Sequence, residues 1–228
     1  AGETIHFRVS STVPYELSVC RLGWEIEDPA GDEVLFTFPE APPVDQPIHP
    51  GSFVHVEKGL PADEALDALT LECWVRPWRL GGWQTLISQH DYPTACGYGL
   101  FVDGEGRVQF YLGDGGPYRK DWAHVGPQLE NRRWQHVVGT WDGKTKKLWV
   151  DGKPVGEWPC EGPVRPGNSP LRLGACGYDG PVVNLLDGDL AMPVIYGRAL
   201  AEEEIVERFQ EQGLQPAAGE GVLACWPL

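Results

Sequence analysis

No stretch of this sequence is apolar for long enough to cross a bilayer, and its first residues lack the basic and apolar run of a secretory leader. A membrane partner is therefore not expected. The chain opens on Ala1 rather than methionine, as a processed chain or a piece of something larger would. Basic residues are scarce too: 18 Lys and Arg stand against 33 Asp and Glu, a net charge of −15 with a pI near 4.7. Such a surface repels a polyanion, so nucleic acid is excluded as a partner. The one locally basic stretch, residues 119–153 with Lys120, Arg132, Arg133, Lys144, Lys146 and Lys147, reads mostly as solvated loop tips. The six cysteines contain no Cys-x-x-Cys spacing, which speaks against a metal site built on them. Cys73 and Cys225 each sit beside a Trp and are expected as buried thiols. Cys96 and Cys176 both lie in Ala-Cys-Gly-Tyr, where a disulfide and two free thiols stay open as alternatives.

What is abundant is Gly (29), Pro (21) and Trp (10). With 42% hydrophobic and 22% charged residues the composition is that of a folded globule, and so many Gly and Pro imply many tight turns. Period-two alternation recurs, the signature of strands. Leu69, Leu71, Cys73 and Val75 fall on one face, and Thr70, Glu72, Trp74 and Arg76 on the other. Val108, Phe110 and Leu112 alternate with Gln109 and Tyr111. Further strands follow at residues 134–141, 147–150 and 171–173. Asp-Gly pairs at Asp103, Asp114, Asp142 and Asp151 favour hairpin turns, so residues 98–155 read as successive antiparallel hairpins. Helix is rare. Residues 201–212 carry an apolar stripe (Ile205, Val206, Phe209), acidic residues at the N-terminal end and Gly213 as a stop. A one-turn helix is also expected over residues 62–69. The expected class is an all-β antiparallel sandwich with one short C-terminal helix.

Proline-rich residues 41–50 divide the chain. Residues 1–40, with strand-like runs at 4–10 and 15–22, are too few for a core of their own and are expected as an appendage packed on the sandwich of residues 51–228.

The order of motifs in the main body resembles laminin-G-like jelly rolls of the concanavalin A-like lectin/glucanase superfamily. The motifs are Leu69-Thr70-Leu71-Glu72-Cys73-Trp74-Val75-Arg76-Pro77, then Gly97-Tyr98-Gly99-Leu100-Phe101-Val102, then the hairpin running from Trp134 to Gly152. Leu171-Arg172-Leu173-Gly174, Leu186-Asp187-Gly188-Asp189-Leu190 and Val222-Leu223-Ala224-Cys225-Trp226 complete the set, with Ala201 where the family has a helix-capping Ser. The leader, from Gly2 to Ser11 and Tyr15 to Leu22, is similar to the segment before the jelly roll in N,N-dimethylformamidase large-subunit-like proteins. That resemblance implies an amidohydrolase parent whose catalytic half is not in this sequence, so no catalytic residue is carried over.

Residue chemistry agrees that no catalytic constellation is visible. Glu25-Ile26-Glu27-Asp28-Pro29 lies outside the jelly roll and is broken by proline, so it does not supply the facing carboxylates of a glycosidase. There is no Gly-x-Ser-x-Gly, and Ser88 and His90 are neighbours in sequence only. His90 reads as a polar residue at a strand exit and His136 as a hydrogen-bonded sheet residue. No cofactor is required. A structural calcium would draw on Asp91, Asn184, Asp187 and Asp189 near strand ends, although Asp187-Gly188 reads equally as turn chemistry. Ligand-binding candidates are aromatic: Trp78, Trp83, Tyr92, Tyr98, Trp122 and Tyr178, in or beside Gly/Pro-rich segments.

Two functions follow. One is a non-catalytic accessory domain docking on a protein partner or on its own C-terminal catalytic half. The other is a carbohydrate-binding, lectin-like module, calcium-assisted or not. The first places the chain in the cytoplasm with free thiols, the second outside the cell.

Overall fold

A computed structural model describes residues 9, 11–21, 31–44, 52–56, 59–60, 64–116, 123–177 and 182–228. The chain divides into two compact units, Ala1–His49 and Pro50–Leu228. The first holds an antiparallel pair, β1 (Ser18–Arg21) and β2 (Glu33–Thr37), extended by bridges from Tyr15 to Ala41 and from Ser11 to Val44. An Arg21–Glu33 ion pair and a Ser18–Thr37 hydroxyl pair link the two strands. The expected run at 4–10 and the acidic stretch 25–29 lie outside the described residues.

The second unit is a sandwich of two six-stranded antiparallel sheets. Its strands are β3 (Val54–Val56), β4 (Leu69–Pro77), β5 (Gln84–Ser88), β6 (Cys96–Val102), β7 (Arg107–Asp114) and β8 (Ala123–Gln128). They continue with β9 (Gln135–Trp141), β10 (Thr145–Val150), β11 (Lys153–Pro159), β12 (Leu171–Leu173), β13 (Gly188–Tyr196) and β14 (Val222–Cys225). One sheet runs β11-β10-β9-β4-β13-β14 and the other β3-β12-β5-β6-β7-β8. Among the described residues there is a single helix, α1, which spans Glu202–Gln210. The turns from β6 to β7, from β9 to β10 and from β10 to β11 fall on the Asp-Gly pairs at Asp103, Asp142 and Asp151. Asp151 and Gly152 both take positive φ (52° and 70°) between β10 and β11, the two-residue geometry matched to strand twist.

Alternation decides which side chains meet. Leu69, Leu71, Cys73 and Val75 of β4 face Leu100, Phe110 and Leu112 of the opposite sheet across the main core. Burying each large side chain contributes about 1.5–3 kcal/mol. The outer face of β4 is not solvated. Trp74, with Val138, Trp149, Val194 and Tyr196, forms a second apolar layer under Ile205 and Phe209 of α1. Trp74 stacks against both His136 (5.1 Å) and Phe209 (5.8 Å), which lie 6.1 Å from each other, so the three rings form one cluster.

Two expectations need correction, and one open alternative is decided. Residues 64–68 hold bends and a Leu66–Val164 bridge in place of the expected helical turn, because Leu66 is drawn into the core. Lys146 is no loop-tip charge: its side chain is buried and Nζ donates to the Phe110 carbonyl at 2.8 Å. Between the alternatives for Cys96 and Cys176, the two are separate thiols and form no disulfide. Among the described residues no helix is long and apolar enough to cross a membrane.

Candidate functional site

The outer face of the β3-β12-β5-β6-β7-β8 sheet carries a cavity of about 360 Å³, within the roughly 300–1,000 Å³ of typical ligand pockets. Its floor is set by register. In β6 and β7 the core takes Leu100 and Phe110, so their neighbours Phe101, Gln109 and Tyr111 point the other way. Gly99 makes this packing feasible, because a Cβ there would sit 2.5 Å from the Phe101 ring. Gln109 is steadied by donating Nε2 to Asp103 Oδ2 at 2.9 Å.

The walls come from three turns. Trp83 precedes β5. His90 follows it, with its amide donating to Ser88 Oγ at 3.1 Å. The backbone pair Asp91–Cys96 (3.0 and 3.2 Å) closes a tight turn that leaves Tyr92 at the rim. A second pair, Cys176–Val183 (3.0 and 2.9 Å), closes the loop whose stem residues Cys176, Gly177, Val183 and Asn184 line the far side. The Asn184 carbonyl accepts from the Thr85 amide at 2.9 Å, and its Nδ2 donates to Cys176 Sγ at 3.3 Å.

The aromatic residues form a graded cradle. Trp83 and Tyr92 are 51% and 56% exposed, whereas Phe101 and Tyr111 are buried floor residues. The His90 ring stands edge-on to Tyr111, with centroids 4.1 Å apart, and to Phe101 at 5.8 Å. Burial pulls its pKa down to about 4, against a smaller upward push from Asp91, so the imidazole is neutral at pH 7. Its Nε2 is buried without a partner, a polar atom facing an apolar cradle. Such a surface stacks on the apolar face of a ring-shaped ligand and offers a few polar atoms to orient it.

The residues expected from the sequence divide. Trp83, Tyr92 and Asn184 come together at this cavity, Asn184 as a lining amide. Tyr98 is corrected: it is 0% exposed on the core face of β6, and its hydroxyl donates to Gln89 Oε1 at 2.8 Å. Trp78 lies away from the cavity, where its Nε1 donates to Asp189 Oδ2 at 2.7 Å. Trp122 and Tyr178 lie outside the described residues. Asp91, Asn184, Asp187 and Asp189 do not gather into a calcium cage. Asp189 is held by Arg76 (2.7 Å) and Asp187 by Arg79 (2.8 Å), while Asp91 is buried in its turn. Among the described residues no three His, Cys, Asp or Glu side chains converge as metal ligands do. Phe101, Gln109 and Tyr111 were not among the expected site residues. Alternation with Leu100 and Phe110 marks them as outward-facing, which is the signal that finds them.

The fold has relatives among solved structures. A Bacteroides ovatus protein, whose assigned role in carbohydrate binding is itself a proposal, superposes with a TM-score of 0.60 at 13% identity. The match takes in 78% of this chain and 49% of that one, so this chain spans about half the length of that relative. The CBM40 of the Ruminococcus gnavus IT-sialidase, bound to α2,3-sialyllactose, gives a TM-score of 0.52 at 16% identity over 64% of this chain and 84% of its own. A pentraxin of Limulus polyphemus gives 0.51 at 14% identity over 77% and 90%. At these identities the likeness is one of fold. No curated protein matches the chain. A family model, described as the Concanavalin A-like lectin/glucanases superfamily, matches residues 50–206. It leaves the leader uncovered, and the leader's likeness to N,N-dimethylformamidase-type proteins gains nothing from it. With that match over the greater part of its length, and the two-sheet sandwich that the family implies, the chain belongs to the Concanavalin A-like lectin/glucanases superfamily.

Proposed function

We propose that this chain is a carbohydrate-binding module and that the cavity bounded by Trp83, His90, Tyr92, Phe101 and Tyr111 is its sugar site. The observation that carries this reading is the aromatic cradle, with two large rings left exposed at its rim and buried rings below. Sugars present C–H faces that stack on aromatic rings, and exposing a Trp and a Tyr beside a concavity costs solvation that a ligand would recover. Gln109 and Asn184 add amide groups suited to hydroxyls. The described lining residues include no Asp or Glu, so nothing at this cavity resembles the carboxylate pair of glycoside cleavage. Two of the structural relatives carry names that point to carbohydrate, which supports the reading without transferring a particular sugar.

A glycan array probed with the labelled protein, with calcium and again with chelator, tests it. Binding is expected to persist in chelator, because Asp187 and Asp189 are already engaged by Arg79 and Arg76. Trp83→Ala and Tyr92→Ala are each expected to weaken binding about tenfold. Both residues are exposed, so stability should move by no more than about 0.5 kcal/mol. Silence on the array in both conditions would overturn the sugar reading and return attention to protein docking. Loss of binding with chelator alone would overturn the metal-free site.

A further inference from the structure

Arg172 sits beside this cavity as a cation that meets no carboxylate among the described residues. It lies in the middle of β12, where Leu171 and Leu173 take the core, so its side chain stands on the outer face. Register fixes its row: Arg172 is paired with Ser88, Ser88 with Gly99, and Gly99 with Tyr111 on the cavity floor. The guanidinium is therefore in line with that floor, and only a small side chain and a glycine stand between them. At its far end it meets the cavity wall, since Nη1 donates to the Gly177 carbonyl at 2.7 Å.

The residue is only 7% exposed, yet among the described residues that carbonyl is its one hydrogen-bond partner. Nε is sealed from solvent without an acceptor. By contrast Arg208, which is also sunk below the surface, is met by two carboxylates, Glu72 and Glu211. Burial lowers the pKa of Arg172, with Cys176 pushing weakly the other way, so the charged form is held at a cost. Sinking a guanidinium with its Nε donor unmatched is expensive unless an anion completes it. A carboxylate is the planar acceptor that matches its fork.

We infer that the cavity selects sugars bearing a carboxylate, stacking the ring on the aromatic cradle while Arg172 receives the acid group. This rests on the carbohydrate-binding reading above. A uronic acid and a sialic acid both supply that chemistry.

Isothermal titration of the whole chain with a galacturonic acid disaccharide, with sialyllactose, with the methyl ester of each and with lactose separates the cases. The free acid of at least one sugar is expected to bind about tenfold or more tighter than its own ester. The sugar for which that holds names the source. Arg172→Gln should bring the acid down to the ester's affinity and leave the ester unchanged. Should the variant fail to fold, the acid-to-ester ratio on the unaltered protein decides alone. Acid and ester binding equally would overturn this inference and leave the sugar site standing. No binding by any of the five would overturn the sugar site itself.

Discussion

Glu72 is a carboxylate with no access to water, and three side chains explain why it stays ionised. His136 Nε2 lies 3.1 Å from one oxygen, the Tyr196 hydroxyl donates to the other at 2.7 Å, and Arg208 Nε reaches both at 3.1 and 3.3 Å. Burial alone would push its pKa up. The hydrogen bond and charge of His136, the charge of Arg208 and the Tyr196 hydroxyl outweigh that and hold it below its ordinary 4.5. A depressed carboxyl pKa stabilises the fold fully above the unfolded value and progressively less as pH falls through the folded one. Unfolding free energy is therefore expected to drop below about pH 4.5 in part through Glu72. Glu72→Ala should cost about 3–5 kcal/mol at pH 7, because it takes the acceptor from Arg208 Nε and from the Tyr196 hydroxyl in a dry layer and leaves Arg208 only Glu211 as a counter-charge. Urea titrations at pH 7 and pH 4 check both statements. A variant as stable as the parent at pH 7 would mean that the network is ornamental to the fold.

At the scale of elements, α1 is the roof over that network, and its N-terminus is incompletely capped. Ala201 is the N-cap in extended geometry but has no side-chain oxygen to offer. Only the reciprocal half of a capping box is in place, with Glu204 accepting from the Ala201 amide at 2.9 Å while it also grips Arg198 at 2.6 and 2.8 Å. Ala201→Ser is expected to raise stability by about 0.5–1 kcal/mol by supplying the missing acceptor. Thermal unfolding followed by circular dichroism measures it, and no gain would show that Glu204 and Arg198 already fix the first turn. The two faces of β4 were legible from alternation, and the helix from its stripe of Ile205 and Phe209. That the helix lies over Glu72 and Trp74 was not legible, because the contact joins positions 136 residues apart and no local periodicity encodes it. The cavity divides the same way. Its outward floor residues follow from strand register, whereas Trp83, Tyr92 and Asn184 are brought together by turns distant in sequence. Tyr98 misleads because Gly97 and Gly99 flank it as in a loop, when those glycines are strand positions crowded by the Gln89 carbonyl and the Phe101 ring.

For the whole molecule, the extent of the family match and the extent of the folded unit differ at the C-terminus. The match ends at residue 206, yet the second compact unit continues to Leu228. Those last residues are integral: Arg208 is bonded to Glu72, Phe209 stacks on Trp74, and β14 pairs with β13 along the sheet edge. Every described residue lining the cavity lies between Trp83 and Asn184. A fragment of residues 50–228 is therefore expected to unfold as one cooperative transition and to keep the glycan affinity of the full chain. A fragment of residues 50–206 keeps every described lining residue but leaves Glu72 buried without Arg208, uncovers Trp74 and frees a sheet edge. It is expected to lose more than about 3 kcal/mol and to aggregate. Calorimetry and glycan titration of the two fragments side by side make the comparison. Equal stability would assign the fold to the matched segment alone, whereas cooperative unfolding confined to the longer fragment would make the closing helix and strand part of the module that holds the proposed sugar site.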